Sequence, residues 1–186
     1  DTIIEMIDKL VTEAVDTYAD EKLYPEEWDY EGLHKHLSQY FLTSEIMSTE
    51  EMEEYTRQEL DERLHEIAHS EYQDRIDLLG DAMFSQLEKA IMLRVVDSKW
   101  MEHLDNMDML REGIGLRAYG QKNPLVEYKF EAYDMFQHMI ESIQDETIMA
   151  LYKIRAQLIQ EIEEPVDHLE GAQPHHEDVL EPQNID

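Results

Sequence analysis

The stretch GIGLRAYGQKNP, residues 113–124, decides the fold. It holds three of the chain's six glycines, Gly113, Gly115 and Gly120, with Arg117, Lys122 and the aromatic Tyr119, and no acidic residue. The surrounding chain of 186 residues carries a formal net charge of −30. Upstream, Phe84, Leu87, Ile91, Val95, Trp100, Leu104, Met107 and Leu110 recur at helical spacing. Downstream, Leu125, Tyr128, Tyr133, Phe136, Ile140, Ile143, Ile148 and Leu151 do the same, and Asn123-Pro124 supplies an N-cap and a proline for the first helical position. Two long helices joined by so short a connection are antiparallel neighbours, so residues 81–160 are predicted to form a helical hairpin with this stretch at its tip. At a tip the backbone is solvated, so glycine's entropic cost is tolerated and its freedom can be used. The run IMLRVV at 91–96 is apolar nearly all round, which predicts burial on several sides.

Working outward, residues 2–19 place Ile3, Ile4, Ile7, Leu10, Val11, Ala14, Val15 and Tyr18 at helical spacing. A linker closed by Pro25 leads to a helix expected from Tyr30 to Phe41. Ser48-Thr49-Glu50-Glu51 fits a capping box, and the helix it starts is expected to run through Leu60, Leu64 and Ile67 to Leu79. Gly80 then breaks or kinks the chain, and Asp81 is a candidate cap for the helix that follows. Beyond Pro165 the sequence is acidic and aperiodic, the signature of a disordered tail. With six Gly and five Pro there are few turns, and no strand pattern emerges, so the expected class is all-α.

Charge narrows the partners. Residues 1–80 hold 23 Asp/Glu against 6 Lys/Arg, residues 81–162 hold 14 against 9, and residues 163–186 hold 8 against none. Such a surface repels phosphate backbones and anionic headgroups, so no nucleic-acid partner is expected, and only the central third could meet an anionic surface. With no cysteine, disulfides and thiolate metal sites are excluded. No apolar run reaches membrane-spanning length and no signal peptide is present, which predicts a cytoplasmic setting. The chain opens at Asp1, directly into helical periodicity, and reads as a piece of a longer protein.

One catalytic pattern stands out. His65-Glu66-Ile67-Ala68-His69 is an H-E-x-x-H, which on a helix sets two histidines one turn apart with a glutamate beside them, the arrangement of a zinc hydrolase. The flanking sequence DERLHEIAHSEYQD is charged almost throughout, and a catalytic zinc needs a third ligand and a dry cavity that no downstream motif supplies. The preferred reading is a charged surface helix with no metal and no catalytic residue. There is no G-x-x-x-x-G-K-[ST] to hold nucleotide phosphates. Eight of the eleven methionines, among them Met83, Met101, Met109, Met135 and Met139, lie in the hairpin, where they suit core packing and also adaptable apolar contact.

The hairpin sequence resembles a known family. LRVVDSKWMEHLDNMDMLREGI, then LRAYGQKNP, then EYKFEAYDMFQHMIESI are similar to the carboxy-terminal helical region of the SecA family, the ATPase motors of bacterial protein export. YPEEWDYEGL, residues 24–33, is similar to the start of that family's helical wing. The resemblance implies three parts: residues 1–85 a helical wing, residues 86–162 helical scaffold forming a two-helix finger, and residues 163–186 a disordered acidic tail. It implies that the fingertip loop contacts a translocating, unfolded preprotein at the mouth of a SecY-type channel, with Tyr119 in the place of the family's contact tyrosine and Arg117, Gln121 and Lys122 flanking it. Trp100 matches a scaffold position that packs beneath the motor domains. ATP and magnesium belong to those domains, so no cofactor is expected in this portion, and the setting implied is the cytoplasmic side of the plasma membrane, peripherally bound. The family's tail carries a cysteine-rich zinc motif; the acidic, Cys-free residues at the end of this chain do not match it.

Elementary physics points the same way. A motor that moves arbitrary sequences cannot read side chains by matched hydrogen bonds, whereas an aromatic ring on a pliant tip gives amphipathic, sequence-tolerant contact. The outer apolar face of the hairpin would rest on the remaining motor domains, and alone it is expected to self-associate or pack loosely. The rival readings are a non-catalytic helical adaptor whose acidic wing docks a basic partner and, third, the zinc hydrolase.

Overall fold

The computed structural model describes residues 2–117 and 123–163, the side chains of 115–117 and 155–163 excepted, and among the described residues all regular structure is helical. Of the expected tail, residues 164–186 fall outside them, and Glu163 closes the final helix. Residues Asp1–Arg155 form one unit; the second, Ala156–Asp186, contributes to the described residues only the last turns of the final helix.

The first helix, α1, spans Thr2–Tyr18 and buries the stripe Ile3, Ile7, Leu10, Val11, Ala14 and Val15. A 3-10 turn at Pro25–Glu27 leads to α2, Tyr30–Leu37, whose N-cap Asp29 accepts from Gly32 N at 2.8 Å. This helix stops four residues before the expected Phe41, and the chain continues in turns that still bury Phe41 and Leu42. The capping box at Ser48 forms as predicted: Ser48 Oγ accepts from Glu51 N at 3.2 Å, and Ser48 N donates to Glu51 Oε2 at 2.7 Å. The helix it starts, α3, ends at Met52 rather than Leu79. A second capping box, Thr56 with Glu59, restarts the chain as α4, Arg57–Leu79. Each box satisfies otherwise orphaned N–H groups.

Gly80 separates α4 from α5, Asp81–Arg117. Its backbone lies at φ 79°, ψ 145°, a region essentially reserved for glycine, and nothing stands within 4 Å of where a Cβ would sit. The cost of a side chain there is backbone strain, not a clash. Gly80→Ala is expected to lower unfolding stability by about 2 kcal/mol, as read by urea titration; an unchanged midpoint would contradict this account of the turn.

The last helix, α6, runs 40 residues from Pro124 to Glu163. Asn123 caps it as predicted, its Oδ1 accepting from Leu125 N at 3.0 Å. The core sits where α1, α2 and α4 meet the far half of α6: Leu33, Leu37, Leu60 and Leu64 are fully buried alongside Ile148, Leu151 and Tyr152. Burial of this kind supplies on the order of 2 kcal/mol per large side chain and is the main force holding the helices together.

Candidate functional site

α5 and α6 run side by side in opposite directions. Lys99 is ion-paired with Glu146, and the His103 and Phe136 rings meet edge to face with centroids 6.0 Å apart. Residues 91–98 of α5 face 146–153 of α6, and residues 99–106 face 135–142. As the α5 number rises the α6 number falls, which is the antiparallel hairpin expected from the sequence. The Glu146 carboxylate accepts from the Lys99 ammonium and, together with Glu102, raises its proton affinity above that of a free lysine.

The two helices are held unequally. Among the described residues of α5 only Phe84 is buried, at 2% exposed, in T-shaped contact with Tyr72 of α4 at 5.4 Å. α6 buries Met139, Ile143, Thr147, Ile148, Leu151, Tyr152 and Ile154. α6 is therefore rooted in the core through its second half, and α5 leans on it. Towards the tip, both helices expose large apolar side chains: Met101, Leu104 and Met109 on α5, and Leu125, Phe130 and Tyr133 on α6, with Phe130 72% exposed.

The predicted site residues distribute as follows. Arg117 is the last residue of α5, so its backbone stands at the tip, immediately before the connection. Tyr119, Gln121 and Lys122 lie outside the described residues. Trp100 lies on the open side of α5, 46% exposed, its ring 5.8 Å from that of His103. The run at 91–96 is less covered than its composition predicts: Leu93 and Val96 face solvent, while Ile91 and Val95 line the groove against α6. A single layer of two helices covers one flank of each and no more.

The H-E-x-x-H residues serve the packing of α4 on α1. His65 Nδ1 lies 2.8 Å from Asp61 O and its Nε2 lies 3.2 Å from Asp8 O, while His69 Nε2 lies 2.6 Å from Asp8 Oδ1. Among the described residues no group of three or more His, Asp or Glu has the arrangement to hold a metal ion. Glu66 is paired with Arg63 at 3.0 Å.

Arg75 is a residue that no sequence pattern singled out. It sits in a helix read as charged and solvated, yet is 5% exposed and binds the main chain of α6. Tyr152, its partner, has a phenol pushed well above the ordinary tyrosine range, chiefly by burial, with Arg75 pulling the other way. At the same end of α6, burial first and Asp145 second raise the Tyr40 phenol to about 12.

Comparison with known proteins agrees with this architecture. The family described as SecA wing and scaffold domain matches residues 1–155. A protein translocase subunit SecA from Pelotomaculum thermopropionicum is 49% identical over 154 residues, covering 83% of this chain and 17% of the relative. That from Desulforudis audaxviator is 46% identical over 159 residues, covering 81% of this chain and 18% of the relative. A third, from Desulforamulus reducens, is 41% identical over 180 residues, covering 94% and 21%. The chain thus spans about a fifth of the length of the curated relatives it matches. No helix among the described residues is long and apolar enough to cross a membrane. An all-helical core that roots one long helix and leans a second against it, matched end to end over residues 1–155, makes this chain a member of the SecA wing and scaffold family.

Proposed function

We propose that the chain is the wing and two-helix finger of a protein-export motor, and that the connection between α5 and α6 touches the passing polypeptide. The observation that carries this reading is the rooting of α6: a helix fixed at one end in a core and free at the other is a lever. Tyr119 supplies the sequence-tolerant contact with an unfolded preprotein at the mouth of a SecY-type channel, and Arg117, Gln121 and Lys122 meet backbone carbonyls or acidic channel loops. Trp100 and the other exposed apolar residues of the finger rest on the remaining motor domains of a full-length SecA, which bind ATP with magnesium and hydrolyse it. This portion takes no cofactor and catalyses nothing by itself. It works on the cytoplasmic side of the plasma membrane as a peripheral component. Left alone, its uncovered apolar face drives self-association.

The test is transport by a full-length SecA carrying this sequence as its wing and finger, with Tyr119→Ala. A fall in transport with ATP hydrolysis and fold retained supports the reading. Unchanged transport favours a helical adaptor whose acidic wing does the binding.

A further inference from the structure

We propose that Arg75 and Tyr152 form a reciprocal bracket that sets the register of α6 on α4 and so aims the far end of the finger. The geometry does not depend on the function proposed above; only the consequence for transport rests on that reading. Arg75 donates from Nε and Nη2 to the carbonyl oxygen of Tyr152 at 3.0 and 2.9 Å. Its Nη1 donates to Glu71 Oε2 at 3.0 Å and to Glu71 O, and the guanidinium carbon lies 4.8 Å above the Tyr152 ring. In return the Tyr152 hydroxyl donates to Ala68 O at 2.8 Å. Each helix thus offers a side chain to the other's main chain, at points about two turns apart on α4.

That arrangement does what apolar burial cannot. Hydrophobic contact is non-directional, so Ile148 and Leu151 alone would tolerate rotation or sliding of α6 in its groove. Two convergent donors on one carbonyl fix both, because a guanidinium is a rigid planar fork. The charge is also costly to bury unless its donors are satisfied, so the fork is held to one geometry. From Tyr152 back to Pro124, α6 runs about 42 Å at 1.5 Å per residue, so a tilt of about 5° at the bracket swings the tip by about 4 Å. The base of α5 is tied to α4 separately, by Phe84 against Tyr72 and by the Tyr72 hydroxyl donating to Glu88, so α5 does not fix where α6 sits on α4. Arg75 and Tyr152 are therefore positioning residues.

The chain has no cysteine, so paired spin labels can be placed on introduced cysteines without background. One pair, on the exposed positions Ser70 of α4 and Lys129 of α6, reports the aim of the finger; a second, on Ser70 and the exposed Lys35 of α2, reports the wing alone. Arg75→Lys keeps the charge and loses the fork; Tyr152→Phe keeps the ring under Arg75 and loses one oxygen, so it reads the bracket even if the lysine variant does not fold. The expected result is a Ser70–Lys129 distance distribution about twofold wider in the variants, with the Ser70–Lys35 distribution unchanged. An unchanged Ser70–Lys129 distribution overturns the proposal, and so does equal widening of both pairs, which would mean general loosening of the wing. A bracket confirmed in this way alongside normal transport by Tyr119→Ala would leave the bracket standing and remove the proposed function.

Discussion

Phe84→Ala is expected to lower unfolding stability by about 4 kcal/mol, the largest single loss foreseen for α5. The residue is the one member of that helix, among those described, that is buried, and its ring stands edge-on to Tyr72. Truncation removes the transfer free energy of the ring, leaves a cavity between α4 and α5 and breaks the aromatic pair. A domain of this size has on the order of 10 kcal/mol in total, so the variant should melt far earlier. Urea unfolding followed by circular dichroism gives the number. A loss under about 1.5 kcal/mol would mean that the first turns of α5 are not part of the core. Hydrogen exchange should show the injury concentrated after Gly80, because α6 keeps its own buried root when Phe84 is cut back.

The second large effect is expected from Tyr119→Ala in a full-length SecA carrying this sequence. An aromatic contact of this kind is worth about 1–1.5 kcal/mol, and that converts to a fall in transport of about tenfold. Tyr119→Phe and Tyr119→Trp should retain most of the activity, since they keep a flat apolar face and differ chiefly in the polar group. ATP hydrolysis should persist in all three. Loss in the phenylalanine variant equal to that in the alanine variant would show that the hydroxyl matters and the ring does not, contrary to sequence-tolerant stacking.

The hairpin was legible in the sequence because its signals are local. Apolar spacing on both sides of the glycine-rich stretch and the Asn123-Pro124 cap need no knowledge of distant residues, and both reappear in α5 and α6. The break between α3 and α4 was also written there: Thr56 and Glu59 repeat the spacing of Ser48 and Glu51, and a second box means a second helix start. What the sequence hid is long-range. Arg75 lies among charged neighbours and is buried because its partner is a main-chain carbonyl 77 positions away, which no side-chain pattern advertises. Likewise, the composition of the run at 91–96 marks Leu93 and Val96 as apolar but cannot say whether this chain covers them. Of the candidate contact residues, Arg117 is described by its backbone alone, while Tyr119, Gln121 and Lys122 lie outside the described residues; Trp100, the candidate scaffold-packing residue, is described in full.

The central claim is that a rooted pair of helices presents its far end to the moving chain. Site-specific photo-cross-linking in a full-length SecA, stalled with a preprotein part-way through the channel, tests it most directly. A photoreactive side chain at position 119 should capture the preprotein strongly, one at the exposed Ser70 of α4 should capture none, and one at Phe130 should capture less than at 119. Strong capture from Ser70 with none from 119 would contradict the account and assign contact with the preprotein to the α4 surface.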